Sequence, residues 1–499
     1  MTVRTYYRNH QTALTLVGVV AAFLLLGFLL MDSSPEAFVR TTLSGLTLGS
    51  LYFMVAAGLT LIFGLMDVLN FAHGAMFMLG AYLGWQFYTN PSFVFGILPL
   101  ISAALCGLIA SRLLRPLVMK WNIPASWQER LPGILTLLGL AVGVASVLGL
   151  DILKLASTSM VAISAGSDPL SEIKAQEPLA AFGLRVLGLA LAGFVIALGN
   201  ARPGDTTQVV NPADKRQGWV YVGGLLLLTV ILTLVRESGP VVALEMDANW
   251  RFVLALLVGT LSGAGLGAVI ELSLIRPLYV RPLYQILVTL GLAYVLRELV
   301  MLLWNPVAYQ MARPPLFAQP GEAANVMEWL TKGSSTIDIL GVTFPTYRLF
   351  IILLGVVMLV ALGLTISYSR LGMIIRAGVQ DREMVEALGI NVRQVFTVVF
   401  VIGAGLAALG GIGAAPFIPI EAGMGDNFQL QAFICVVIGG MGSFNGAAVG
   451  ALLLGLARAF GDYLALKYNL TPAIAEASTV IIMAIVLLVR PAGLFGRKD

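Results

Sequence analysis

His73 stands three residues after Asn70 and directly before Gly74, and the only other histidine, His10, lies in the N-terminal tail. A protein metal site needs several His, Cys or carboxylate ligands at close spacing, and no second His or Cys accompanies His73. Cys106 and Cys435 both sit inside apolar stretches, so they read as small buried hydrophobes rather than as a disulfide or a metal pair. No nucleophile–base pair is legible. The run Leu261-Ser-Gly-Ala-Gly265 superficially echoes the signature of an ATPase. It lies within an apolar span, and no G-x-x-x-x-G-K occurs anywhere in the chain, so the sequence predicts no ATP binding by that route. The expectation is a protein that is not an enzyme and uses no cofactor. Asp67, Arg185, Glu271, Arg297, Glu298, Arg348, Arg458, Asp462 and Glu476 are the charges inside predicted spans. Most fall close to a predicted helix end, where snorkelling or pairing between helices accounts for them.

The elements that carry these residues are set by hydrophobicity. The chain is 58% hydrophobic and 11% charged, with a mean hydropathy of +0.91. Soluble domains carry about 25% charged residues, and a soluble fold of this length has no means of hiding so much apolar surface. The fold class expected is therefore an all-α polytopic membrane protein. Apolar runs near 13–31, 41–64, 67–87, 94–113, 131–150, 179–199, 217–235, 252–275, 284–303, 346–368, 394–414, 445–466 and 474–490 approach the ~20 residues a spanning helix needs. With the shorter run 429–441 they predict about 12–14 transmembrane or re-entrant helices. The run at 13–31 is read as a retained first helix, because no small-residue cleavage site clearly follows it.

Charge orients the chain. With the N-terminus in the cytoplasm and 429–441 counted as a crossing, the inside segments collect most of the lysines and arginines, among them Arg112, Arg115, Arg276, Arg281, Arg370, Arg376, Arg382, Arg393 and Arg490. This is the positive-inside pattern, and it puts both termini in the cytoplasm. The net charge of +4 then reflects basic loops on one side of a bilayer and implies no nucleic-acid partner. The longest outside loop, 304–345, is rich in proline, and its stretch 321–332 is expected to form one short helix. Such a loop suits either an extracytoplasmic partner or a passive lid.

Three stretches carry a more specific signal. The first is GLTLGSLYFMVAAGLTLIFG at 45–64, running on to VLNFAHGAMFMLG at 68–80; the second is SRLGMIIRAGVQDREMVEALGIN at 369–391; the third is IGGMGSFNGAAVG at 438–450. In the second, Asp381 can cap a short helix and Gly389 can end it in a left-handed turn. Met384, Val385 and Leu388 are expected on one apolar face, with Arg376 and Arg382 as a basic rim. Taken alone, this is either a helix built to dock in a groove of another protein or an ordinary basic loop. In the first, Asn70 and His73 sit among closely spaced glycines and serve either a substrate or gate role or the freed backbone groups of a helix break. In the third, Gly439, Gly440 and Gly442 mark either a broken crossing beside a pathway or a plain tight turn between packed helices. At about 1.5 Å per residue, 429–441 is too short to span alone as a helix, and irregular backbone at membrane depth is tolerated only beside protein or water.

Together the three stretches resemble the permease family of ABC importers for branched-chain amino acids, whose related members serve urea and short-chain amides. The resemblance covers roughly 41–93 and 252–495. It implies a permease subunit in a bacterial or archaeal plasma membrane, partnered by cytoplasmic ABC ATPase subunits, a second homologous permease, an extracytoplasmic solute-binding protein and the lipid bilayer. It makes the second stretch the coupling helix seated on the ATPase, with Arg376, Asp381, Arg382, Met384, Val385, Leu388 and Gly389 as its residues. Asn70, His73, Gly74, Gly439, Gly440 and Gly442 become the pathway or helix-break candidates. Branched-chain amino acids are the default solute and urea or amides the alternative. A self-sufficient secondary transporter or channel is the competing class, but it usually needs polar groups near mid-span, and almost none are present.

Residues 94–251 depart from that family, which divides the chain into 1–93, an insertion of about four spans at 94–251, and a permease core at 252–499 with the coupling segment 369–393. The stretches 99–117 and 256–278 look alike and both end in Arg-Pro-Leu. An even number of inserted spans preserves the orientation of everything after it.

Overall fold

A computed structural model describes Gly27 and residues 34–66, 69–118, 130–148, 150, 178–199, 212–279, 281–380, 382–471 and 473–496. The expected first span at 13–31, Asp67 and Asp381 lie outside these residues, Gly27 apart. The chain divides into two compact units, one formed by residues 1–85 and 248–499, the other by residues 86–247. The segment expected as an insertion, 94–251, thus has its last four residues in the first unit.

The first unit is built around α1, Pro35–Met66. Its apolar window is 78% buried, and glycines at positions 45, 49, 58 and 64 let its neighbours come close. α2 (His73–Thr89) starts in this unit. α8 (Ala248–Ile270), α9 (Pro282–Trp304), α12 (Thr346–Tyr368), α15 (Val392–Ala414), α16 (Met424–Gly439), α17 (Phe444–Lys467) and α18 (Ala473–Val489) complete it. α1 packs against α12, α15, α16 and α17, and α15 in turn against α8. The core of this unit is Leu51, Met54 and Leu59 of α1, Met76 and Phe77 of α2, Phe400 and Ala408 of α15, and Leu454 of α17.

Backbones touch where side chains are absent. A Cβ on Gly411 of α15 would meet the Phe77 carbonyl oxygen at 1.8 Å, and one on Gly80 would meet that of Ala408 at 2.3 Å. Gly455 of α17 stands in the same relation to Gly45 and Gly49 of α1, 2.4 and 2.3 Å from their backbone oxygen and nitrogen.

The second unit holds α3 (Ser92–Val118), α4 (Leu131–Val147), α5 (Leu179–Gly199), α6 (Pro212–Leu234) and α7 (Ser238–Glu245). Within it α3 packs on α5 and α6, and α4 on α5. Gly107 and Gly193 allow the α3–α5 approach, and Thr229 donates to Ser102 across α6 and α3 at 2.9 Å. The two similar stretches end differently. α3 runs on as an α-helix through 115–117, whereas α8 passes into a π turn, Glu271–Ile275, and a 3-10 turn, Arg276–Leu278. Ala110 occupies the place in the first copy that Glu271 holds in the second.

Among the described residues eight helices are long and apolar enough to cross a membrane, or nine if α6 and α7, bent by 74°, count as one span. The chain is an all-α polytopic membrane protein. α2, α4, α16 and α18 are shorter, at 16 or 17 residues, which is about 25 Å of helix against a ~30 Å hydrocarbon core.

Among the described residues the paired strands lie in the predicted loop, after the one-turn helix α10 (Pro315–Ala318). Residues 321–332 do not form a single helix: β1 (Glu322–Ala323) comes first and α11 (Val326–Lys332) follows. Asn325 caps α11 by accepting from Glu328 N at 2.9 Å, so the helix starts there and not four residues earlier. β1 pairs parallel to β2 (Thr336–Ile339), which pairs antiparallel to β3 (Val342–Pro345). The Ala324 N–H and Lys332 hold the Glu328 carboxyl below its ordinary range. Phe317, Trp329, Tyr347 and Phe350 pack beneath, with the Phe317 and Tyr347 rings 5.2 Å apart.

Gly411→Val is expected to cost at least the ~1–3 kcal/mol typical of overpacking, because its neighbour is backbone that has no rotamer to change. Gly363→Val, which meets nothing within 4 Å, is the matched control. Fluorescence-detected size exclusion of tagged protein should lose the folded peak for the first and keep it for the second.

Candidate functional site

The first and third glycine-rich motifs, some 370 residues apart in the chain, lie against each other. A Cβ on Gly64 would meet Gly442 Cα at 3.1 Å, and a Cβ on Gly74 would meet the Gly425 oxygen at 2.2 Å. The α1–α2 connection is the first break. It leaves backbone groups without helical partners, and side chains supply them. Asn70 Oδ1 accepts from Ala72 N at 3.0 Å. Thr289 of α9 accepts from Phe71 N at 3.2 Å. Gln429 of α16 closes the clamp from the other side: its Oε1 accepts from Gly74 N, and its Nε2 donates to the Asn70 carbonyl at 3.3 Å. The His73 ring reaches across to α1, with Nε2 3.1 Å from the Val55 carbonyl, and is completely buried. Phe77 stacks on Phe428 at 4.1 Å and Phe71 packs on Phe433 at 5.2 Å, two further contacts between α16 and the segment around the first break.

The second break follows α16. Gly440 has φ +97° and Gly442 φ +80°, a region that L side chains rarely adopt. The carbonyls at the end of α16 are taken up by the chain's own C-terminal segment: Leu494 N donates to the Ile438 oxygen at 2.8 Å and Phe495 N to that of Gly439 at 2.9 Å. A Cβ on Gly439 would meet the Gly446 carbonyl carbon at 2.2 Å. Of the predicted break residues, Asn70, His73, Gly74, Gly439, Gly440 and Gly442 therefore belong to one assembly. Among the described residues, Asn70 Nδ2 and His73 Nδ1 are buried without a hydrogen-bond partner. Gln429 and Thr289 were not anticipated. An amide inside a short apolar run was the available signal for Gln429, since lipid offers it no partner.

The second motif forms two helices, α13 (Arg370–Gln380) and α14 (Arg382–Ala387). Ser369 Oγ caps α13 by accepting from Gly372 N at 2.9 Å. Gly389, at φ +81°, ends α14, with Ile390 N donating back to the Val385 oxygen at 3.4 Å; this is the left-handed close expected there. Two details are corrected. Met384, Val385 and Leu388 do not share a face: one residue along an α-helix turns ~100°, so Val385 is buried at 2% exposure while Met384 and Leu388, four apart, are exposed at 58% and 72%. Arg376 is not part of the rim of α14, since it sits on α13 and donates to the Ile366 carbonyl at the end of α12.

Beside this segment lies a buried carboxylate. Glu271, in the π turn that closes α8, is fully buried. Arg276 meets it through Nε and Nη2, both at 3.3 Å. Thr397 of α15 donates to it at 2.8 Å, and the Tyr279 hydroxyl donates as well. Arg276 Nη2 donates to Thr397 Oγ1 at 2.6 Å. α8 is thereby tied to the first turns of α15, just after α14. Arg297, adjacent in sequence to Glu298, pairs between helices with Asp426 of α16 at 3.2 Å. Arg458 holds Asp462 at 3.5 Å and Glu476 at 3.6 Å. No group of three metal-ligating side chains occurs among the described residues.

Gln429→Leu keeps the side-chain volume but strips the Gly74 N–H and the Asn70 carbonyl of their partner. At ~1–3 kcal/mol per stranded group, a loss of several degrees in a thermal unfolding assay in detergent is expected. Glu271→Ala should cost about 2 kcal/mol, below the ~3–5 of a fully buried pair, because the Arg276 side chain keeps 32% exposure.

No solved structure matches the chain. Residues 216–490 match the family described as branched-chain amino acid transport system, permease component, a stretch that begins inside the segment expected to be atypical. The chain is 30% identical to the high-affinity branched-chain amino acid transport system permease protein LivH of Escherichia coli K12, over 295 residues that make 58% of this chain and 88% of the relative. It is 32% identical, with the same coverage, to the corresponding protein BraD of Pseudomonas aeruginosa PAO1, and 29% identical to LivH of Salmonella typhimurium LT2. Many apolar helices around paired glycine breaks, a family match over more than half its length and relatives covered almost end to end make this chain a member of the family of permease components of branched-chain amino acid transport systems.

Proposed function

We propose that the chain is one permease of an ATP-driven importer in the plasma membrane and that it moves branched-chain amino acids inward. The observation that carries this reading is the alignment with LivH and BraD, which spans 88% of each relative. The chain has no ATP-binding motif, so hydrolysis falls to separate ATPase subunits, and solute capture to a binding protein outside the membrane. A second, related permease supplies the other half of the pathway. A membrane component with no catalytic constellation fits this division of labour.

α14 is the contact to the ATPase in this reading. Met384 of α14 and Leu388, in the turn directly after it, present an apolar pair, and such a pair seats in a groove of another protein with little backbone cost. Asp381, Arg382 and Gly389 flank and end that helix, and Arg376 anchors the preceding one. Val385 holds α14 to its own chain. The network of Glu271, Arg276 and Thr397 then links α14, through the start of α15, to α8. The breaks at Asn70–Gly74 and Gly439–Gly442 lie beside the pathway, where irregular backbone is tolerated. Residues 94–251 form an addition that the permease core does not need for transport; removing them should leave uptake in place, and loss of assembly would sink that part.

The test is uptake of radiolabelled leucine, isoleucine and valine by proteoliposomes that hold the chain with its second permease, ATPases and binding protein. ATP-dependent uptake is expected, and accumulation by this chain alone without ATP would overturn the reading. Met384→Asp with Leu388→Asp should lower uptake at least tenfold and release the ATPase on co-purification, with the amount of chain in the membrane unchanged. Competition by urea or acetamide stronger than by valine would reassign the solute.

A further inference from the structure

α9 and α12 are the two least buried long helices of the first unit, each with 17% of its apolar window covered. They are not alike in chemistry. α12 has a mean hydropathy of 3.0 and presents Leu353, Val357, Val360 and Leu364 outward. Its one charge, Arg348, lies in the first turn and donates to Ser44 at 3.1 Å. That is a surface lipid can cover. α9 has a mean hydropathy of 2.1 and exposes Leu287, Tyr294, Val295 and Leu302, with Glu298 on the same exposed face.

Glu298 stands six residues, about 9 Å along the axis, before the end of α9 at Trp304. A glutamate is too short to snorkel that far, and it has no hydrogen bond or ion pair among the described residues. The charges next to it are also open. Arg297 keeps 39% of its side chain exposed and its partner Asp426, in the first turn of α16, 61%. A cluster of three charges inside a span faces protein or a water-filled path, since acyl chains give it nothing. An apolar face alone would not distinguish lipid from protein; the charge does.

We propose that the face of α9 carrying Glu298, together with the start of α16, packs against the second permease chain, while α12 faces lipid. This rests on the reading of the chain as one permease of a pair. The occupant is a permease and not a soluble subunit because the patch sits within the span, where an ATPase or a binding protein does not reach.

The experiment uses the assembled importer in native membranes, with the photocrosslinking residue benzoylphenylalanine at Val295 or Leu302 of α9, and at Val357 or Val360 of α12. Mass spectrometry identifies each adduct. Expected are permease–permease adducts from both α9 positions and at least fivefold less from α12. Adducts from α12 and not α9, or only lipid adducts at α9, would overturn the inference and leave the pairing of permeases intact. No permease adduct from any position, with a native-gel mass that holds one permease, would overturn both. Glu298→Leu adds an independent readout. A lipid-facing position would gain or keep complex yield on losing its charge, whereas the interface predicts at least fivefold less second permease recovered with the chain.

Discussion

A bilayer offers the backbone no water, so every peptide group at membrane depth must find its partner inside the protein. An uninterrupted helix meets that condition by itself. In the described part of its first unit, the chain interrupts its helices between α1 and α2 and again after α16, and other parts of that unit answer both places. Gln429 answers the first break with one amide that both donates and accepts. The C-terminal segment answers the second by donating to the last carbonyls of α16. His73 fits the same scheme, turning its ring to the Val55 carbonyl of the neighbouring helix.

Close backbone approach follows from the same constraint. Helices in lipid gain nothing from hydrophobic exclusion and hold together by contact. The contacts between Gly411 and Phe77, Gly80 and Ala408, and Gly455 and α1 bring α1, α2, α15 and α17 to distances that any Cβ would forbid. A break is affordable only where such packing surrounds it. The glycines of the sequence motifs thus divide into two kinds, those that give the chain its left-handed turns, as Gly440 does, and those that only make room, as Gly64 and Gly74 do.

The charged residues divide by whether they are answered inside the chain. Glu271 is surrounded by Arg276 and Tyr279, which follow its π turn, and by Thr397 of α15. Helix α8 is joined in this way to the beginning of α15, and the joint lies next to the short helix whose Met384 and Leu388 point outward. Glu298 has no side-chain hydrogen bond or ion pair among the described residues, and Met384 and Leu388 stay 58% and 72% exposed.

Composition and hydrophobic run length determined that the chain is a bundle of membrane helices, because only 11% charged residues and repeated apolar runs of span length leave too little polar surface for a soluble fold. The glycine motifs and the segment 369–391 were likewise legible as places where helices break and end, since turns at Gly389 and Gly440 depend on local stereochemistry that one residue type supplies. Pairings between distant segments were not legible. Nothing near Gln429 in sequence announces Asn70 and Gly74, and nothing near Glu271 announces Thr397. The outward face of α14 depended on a rotation of ~100° between Met384 and Val385, which periodicity leaves open by one residue. The strands after Gly321 were hidden because each is only two to four residues long. Local chemistry writes breaks, caps and spans into a sequence. Which break meets which partner is decided only when the helices pack, because the atoms that satisfy a buried backbone group come from wherever the fold brings them.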